Sequence, residues 1–362
     1  MVSTLAALLL AEGLSRLVLN PVDYLAVNTV HDPVLRGRLE PGAGGHDEWG
    51  FRNRAVPEQA DIITIGDSQT YGVSAPARRS WPAQLAELTG RTVYNLGLGG
   101  YGPVQYRELL RTKALQLKPA AIVVGLYYGN DLWDAYATVY GLRHWAALRR
   151  PDLPLVGDST GIPSARKVFL APARDWLARH SVVYRLVTYS ALGGYARGVE
   201  FTARDTVRGS VPFQHPVHGA RTGLTPSIRL KVLDLQDPRV QEGVRLSLEH
   251  LEMMAEDCRV AEVRLLLALI PTKERVHAPW FTSDMPEYEA LRRLVENESE
   301  ADRRVREHLD ARGIEYIDLT TPLREAAAVG PIYPANEDGH PNADGYAIIA
   351  KAVAGAIGDS VP

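Results

Sequence analysis

The chain has 362 residues, 46% of them hydrophobic, enough for one large α/β domain with insertions or for two domains. Its 40 basic and 43 acidic residues leave a net charge of −3, which argues against a nucleic-acid partner, and no long run of one sign marks a charged tail. The single cysteine, Cys258, excludes an intrachain disulfide and a Cys-rich zinc site; between a helical pattern and a strand, it reads as a half-buried structural thiol.

The chain opens on MVSTLAALLLAEGLSRLVL, apolar from Leu5 to Ala11 and then interrupted by Glu12 and Arg16. The run is too short to span a bilayer. It also lacks the basic start of a secretory signal. Two readings stay open. The segment is the remnant of a longer anchor, which would place the protein at a membrane or in the cell envelope. Or it is an amphipathic helix that packs on the core through Leu10, Leu14 and Leu17, which share one face; that reading is compatible with the cytoplasm.

Five short apolar runs follow as buried strands: IITI before Gly66, TVYNL at 92–96, AIVVGLY at 121–127, VRLLLALI at 263–270 and IEYIDL at 314–319. Helical patterns separate them. SWPAQLAELTG carries Trp81, Leu85 and Leu88 at helical spacing and stops at Gly90. VQYRELLRTKALQL follows the second strand. Two long patterns precede the fourth and fifth strands, and NADGYAIIAKAVAGAIG closes the chain. Strands alternating with helices predict a parallel sheet covered on both faces, a three-layer α/β/α sandwich. The rhythm breaks once. Residues 132–238 are rich in Pro, Gly and Ser, with one helical stretch near 173–186. A segment of this length is expected to be a lid or a substrate-binding subdomain. The predicted division is therefore 1–55 as helix and lead-in, 56–131 with 239–362 as the sheet domain, and 132–238 as an insertion after the third strand.

Open parallel sheets bind ligands beyond the carboxyl ends of their strands. Those ends carry Gly66-Asp67-Ser68-Gln69-Thr70, then NLGLGGYGP, then Tyr127-Tyr128-Gly129-Asn130-Asp131, then Pro271-Thr272-Lys273, and last NEDGHPNADG. A serine, a glycine-rich turn, an asparagine and a histidine beside acids form a set suited to acyl transfer. A serine hydroxyl needs a base to take its proton. Histidine titrates in the useful range. A carboxylate on its other nitrogen fixes the tautomer. An oxyanion needs donors already aimed at it, and losing one costs ~3 kcal/mol of barrier lowering. Each piece has a plainer explanation when taken alone. Asp-Ser caps helices, Gly-Asn-Asp makes ordinary turns, and DGHPN can end in a helix cap at Asn342. Their joint placement is what carries the reading.

With these blocks on the page, the sequence resembles the SGNH (GDSL-type) hydrolase superfamily of esterases and acylesterases. The likeness covers about 61–128 and 263 to the end, and leaves the insertion unexplained. It implies a flavodoxin-like sheet and a cofactor-free, metal-free serine mechanism. In GDSQT, Ser68 would be the nucleophile and its N–H an oxyanion donor. In NLGLGG, the N–H of Gly100 would be the second donor. Asn130 would be the side-chain donor, and His340 the base. Two departures stand out. Tyr128 takes the first position of the usual Gly-any-Asn-Asp block, where it would narrow the mouth of the site. The acid often found three residues before the histidine is Glu337 here, while Asp338 lies two before. Asp338 is favoured as the orienting acid for its short side chain before Gly339, with Glu337 as the alternative.

Other features are assigned lesser roles. GLGGYG at 97–102 matches a dinucleotide fingerprint, but Tyr127 and Tyr128 occupy the place where an acid would bind ribose. His215 and His218 lack a clear third metal ligand. Tyr128, Trp133 and Lys273 are expected at the substrate. The expected activity is hydrolysis of a carboxylic ester, or of an O-acyl group on a carbohydrate or lipid. An O-acyltransferase with the same residues and a non-catalytic binding or assembly protein are the alternatives.

Overall fold

The computed structural model describes residues 2–156, 171–189 and 210–358. The chain divides into two compact units. The smaller one takes Met1–Asp32, Gly37–Val56 and Asp158–Arg208; the larger takes the remainder. Much of the expected insertion, 157–170 and 190–209, lies outside the described residues.

In the smaller unit, the helix Val2–Val18 lies against a second helix, Val182–Tyr189. Glu12 joins them. Its carboxylate accepts from the N–H groups of Val182 and Val183 and from the Ser181 hydroxyl, filling donors that a helix start leaves open. Leu10, Leu14 and Leu17 are 65%, 55% and 82% exposed. No helix among the described residues is long and apolar enough to cross a membrane.

The larger unit holds the sheet. Its strands are β1 (Ile62–Gly66), β2 (Val93–Gly97), β3 (Ala121–Tyr127), β4 (Arg264–Ile270) and β5 (Tyr316–Asp318). All pairings are parallel and the order is β2-β1-β3-β4-β5. Chain order reverses at β1, so the crevice above β1 and β3 is where ligands of such sheets bind. The expected strands are all present, the last being shorter than IEYIDL. Their side chains are buried because both faces are covered. On one face Ile62, Ala121, Val123, Leu266 and Ala268 pack with Trp81 and Leu85 of the helix Trp81–Thr89 and with Tyr346, Ile349 and Val353 of the helix Ala343–Ile357. On the other, the helices Pro103–Thr112, Asp131–Gly141 and Pro238–Val260 pack on one another through Val104, Tyr136, Val139 and Leu246. Cys258, on the last of these helices, is fully buried, which pushes its thiol up to about 12.

One detail of the sheet bears on the site. Gly66 is in register with Gly97 on one side and with Gly125 on the other, so three glycines form a row across β2, β1 and β3. The short helix Ser68–Tyr71 rests in the notch they leave. A Cβ on Gly125 would meet Thr70 Oγ1 at 2.6 Å, and one on Gly97 would meet the Thr70 carbonyl carbon at 2.6 Å. The turn after β1 therefore sits on the strands with no side chain between.

Candidate active site

Asp67 follows β1 and caps the helix that begins at Ser68, accepting from the N–H of Gln69 at 2.8 Å. Ser68 is partly exposed while Asp67, Gln69 and Thr70 are buried. As the first residue of the helix, Ser68 has no carbonyl one turn back for its N–H. Its hydroxyl has one proton and two acceptors. His340 Nε2 lies at 2.7 Å and Asp67 Oδ2 at 3.1 Å.

His340 is carried by the turn after β5 and its following helix. Its other ring nitrogen, Nδ1, contacts Asp338 Oδ1, which also accepts from the His340 N–H at 3.1 Å. The second oxygen of Asp338 accepts from the Ser74 hydroxyl. Burial alone would raise the Asp338 pKa. The bonds from His340 and Ser74 outweigh it and hold the carboxyl well below the usual range. Glu337 points elsewhere: its Oε1 takes the Ser210 hydroxyl at 3.2 Å. It lines a groove of about 470 Å³ with Phe213, Arg221, Thr222 and Asn336 beside the base turn.

After β2, Gly100 is exposed with a φ of +79°, and Gly99 approaches Ser68 so closely that its Cβ would lie 3.5 Å from that of Ser68. After β3, the Asn130 side-chain amide donates to Asp134 Oδ2 at 2.7 Å and reaches Asp67 Oδ2 and Asp131 Oδ1 only at 3.4 Å. Asp67, Asp131 and Asp134 form a buried group of acids below it. Burial raises all three, Asp134 to about 7, and the charge of Asp67 adds to the rise at Asp131 and Asp134. Tyr106 donates to Asp131 at 2.8 Å.

Ser68, Asn130, Asp338 and His340 thus converge at the carboxyl edge of the sheet. The other three expected contacts do not. Tyr128 is fully buried and donates to Asp302 Oδ1 at 2.8 Å, so it does not narrow the mouth. Trp133 packs with Tyr136 and under Arg239, 5.3 Å from its ring. Lys273 is 1% exposed. Its ammonium donates to Thr222 Oγ1 and to the carbonyls of Asn336 and Asp338, at 3.1, 3.2 and 2.9 Å. It fastens the base turn from beneath. His215 and His218 stack on each other, ring centroids 4.1 Å apart. Ser74 and Asp134, which hold Asp338 and Asn130, sit in no motif, and nothing in their spacing announces them.

The grip of Lys273 has a measurable consequence. Burial lowers its pKa from the ordinary 10.5 to about 8. The ammonium has three hydrogens for three acceptors, whereas the neutral amine has two. Activity is expected to fall as pH rises through about 8. Stability moves the other way. Between about 8 and 10.5 the unfolded chain binds the extra proton, so stability rises with pH. Lys273→Met should abolish this alkaline limb of kcat/KM and lower its plateau ~10- to 30-fold, the cost of ungripped carbonyls. An unchanged alkaline limb in that variant would assign the titration to another group.

No family model matches the chain, and no curated protein matches it. Solved structures similar to it include a GDSL-like lipase from Bacteroides thetaiotaomicron, at 12% identity and a TM-score of 0.38, with 82% of this chain and 86% of that one covered. A lipase/acylhydrolase from Enterococcus faecalis has 12% identity and a TM-score of 0.37, covering 82% and 94%. A variant of an acetyl-xylooligosaccharide esterase from a Geobacillus has 12% identity and a TM-score of 0.40, covering 84% and 96%. Likeness at this level says nothing about chemistry; the side chains at the sheet edge do. In sheet order, and in the order of its four blocks along the chain, this protein resembles the SGNH (GDSL-type) hydrolases.

Proposed function

We propose that the protein is a serine esterase that cleaves a carboxylic ester, or an acyl group on a carbohydrate or lipid, through an acyl-serine intermediate. The observation that carries the reading is the line from Ser68 Oγ through the His340 ring to Asp338. Asp338 on Nδ1 fixes the tautomer that leaves Nε2 to take the serine proton. Ser68 Oγ attacks the ester carbonyl carbon as its proton passes to His340. The tetrahedral intermediate collapses, the bond to the leaving oxygen breaks, and His340 returns the proton to that oxygen. Water then repeats the sequence on the acyl-serine and frees the acid. The N–H groups of Ser68 and Gly100 and the side chain of Asn130 would hold the oxyanion. Asp134 takes one amide hydrogen of Asn130, which leaves the other, held only by 3.4 Å contacts, for this purpose. No metal or organic cofactor enters any step.

A fluorophosphonate probe tests the reading. Intact protein should gain one adduct, on Ser68, and Ser68→Ala should gain none. Labelling of the alanine variant at the wild-type rate, or no labelling of either, would sink the assignment.

A further inference from the structure

Arg229 is a charged group beside this site that the mechanism above does not use. It lies on the helix Pro226–Leu233 and is partly buried. Its guanidinium spans the two turns that carry the oxyanion donor and the base. Nη1 donates to the carbonyl of Gly129, next to Asn130, at 3.2 Å. Nη2 lies against Gly339, next to His340, where a Cβ would come within 2.6 Å of it. The guanidinium also lies over the Tyr127 ring, 5.6 Å from its centroid. The Tyr127 hydroxyl, raised in pKa by burial, stays protonated and has no hydrogen-bond partner among the described residues.

What is missing around Arg229 is an acid. Among the described residues no carboxylate oxygen lies within 4.0 Å of the guanidinium, and the backbone carbonyl of Gly129 is the only acceptor of its hydrogens. The carboxylates whose charge it feels, Asp67, Glu274 and Glu298, accept from Gln69 N–H, Thr225 N–H and Thr272 N–H respectively, and Glu274 Oε2 has no hydrogen-bond partner among the described residues. An arginine keeps its charge at any working pH. The field of these carboxylates favours the cation, yet none of their oxygens takes a hydrogen bond from it, which leaves its fork open to an anion. Its planar fork suits the paired oxygens of a carboxylate or phosphate.

We infer that Arg229 is a specificity residue of this site, and that the substrate is an ester bearing an oxyanion group, carboxylate or phosphate, that docks on its guanidinium. This rests on the hydrolase reading and adds the substrate class to it. A lone Gly339 before the base fits the same picture, since any side chain there would press on the guanidinium.

The test compares matched esters by kcat/KM. The pairs are the 4-nitrophenyl monoester of succinate against that of butyrate, O-acetyl glucuronate against O-acetyl glucose, and acetyl glycerol phosphate against acetyl glycerol. Wild-type protein should favour the charged member of at least one pair, and which pair responds separates carboxylate from phosphate. Arg229→Gln should shrink that preference ~10- to 100-fold, the range of a charge-assisted bond. Arg229→Lys should keep part of it. Loss of the Gly129 bond, a structural effect, would slow both members alike and leave the ratio unmoved. Ser68-dependent hydrolysis with the same ratio in wild type and Arg229→Gln for every pair would overturn the inference and leave the esterase standing. If no ester is turned over, the esterase reading has failed, and calorimetry with methyl glucuronide against methyl glucoside, and glycerol phosphate against glycerol, decides the anion site. Tighter binding of the charged ligand, lost in Arg229→Gln, upholds it; equal binding overturns it.

Discussion

His340→Ala is expected to lower kcat for an activated acetyl ester ~10⁶-fold. In the proposed mechanism the residue serves both half-reactions, as the base that accepts the serine proton and the acid that returns it. Among the described residues, the only other acceptor near the hydroxyl is Asp67, at 3.1 Å against 2.7 Å for His340. Asp67 is a poor substitute. It is fully buried behind Ser68 and already binds the N–H of Gln69, so it has no path to a leaving oxygen. Steady-state rates on 4-nitrophenyl acetate measure the effect. A loss below ~100-fold would mean that Asp67 acts as the base in spite of its position.

Asp338→Asn should cost ~10⁴-fold in kcat, because an amide at Nδ1 favours the wrong tautomer of His340. Glu337→Gln should change kcat less than ~3-fold, since Glu337 answers to Ser210 and the groove rather than to the ring. The reverse pattern would move the orienting role to Glu337. The folded-state pKa of Asp338 lies below its unfolded value, so its contribution to stability is complete above the unfolded value, near 4. That contribution fades only as pH falls through the depressed value. The acid limb of the activity profile should survive Glu337→Gln unchanged.

The sheet was legible because strands buried on both faces must be continuous apolar runs, and AIVVGLY or RLLLALI can be little else. Ser68, Asn130, Asp338 and His340 were legible because the carboxyl ends of parallel strands meet at one edge, whatever their distance along the chain. Side-chain direction was not. Tyr128, Lys273 and Trp133 all stand at the right edge, yet Tyr128 turns towards Asp302 and Lys273 towards the carbonyls under the base turn. A strand end does not announce whether its next side chain faces the crevice or the packing beside it. The helix Asp131–Gly141 escaped for another reason. It buries Leu132, Ala135, Tyr136, Val139 and Tyr140, but also Asp131, Asp134 and Thr138, so no apolar stripe marks one face. Arg229 belongs to a helix with no motif at all. Only the placement of that helix against the Asn130 and His340 turns gives it meaning.

The row of Gly66, Gly97 and Gly125 sets terms for anyone who would redesign this protein. None of the three needs to touch a substrate. Yet enlarging Gly97 would press on the Thr70–Tyr71 backbone, and enlarging Gly125 on the Thr70 hydroxyl, two residues from Ser68. Mutational libraries aimed at new substrates are best confined to the rim, at Arg229 and the groove beside Glu337, and the floor of the pocket is best left as it is. Ser68 has been given a fixed seat; under the proposed chemistry, the freedom to change what it attacks lies around it.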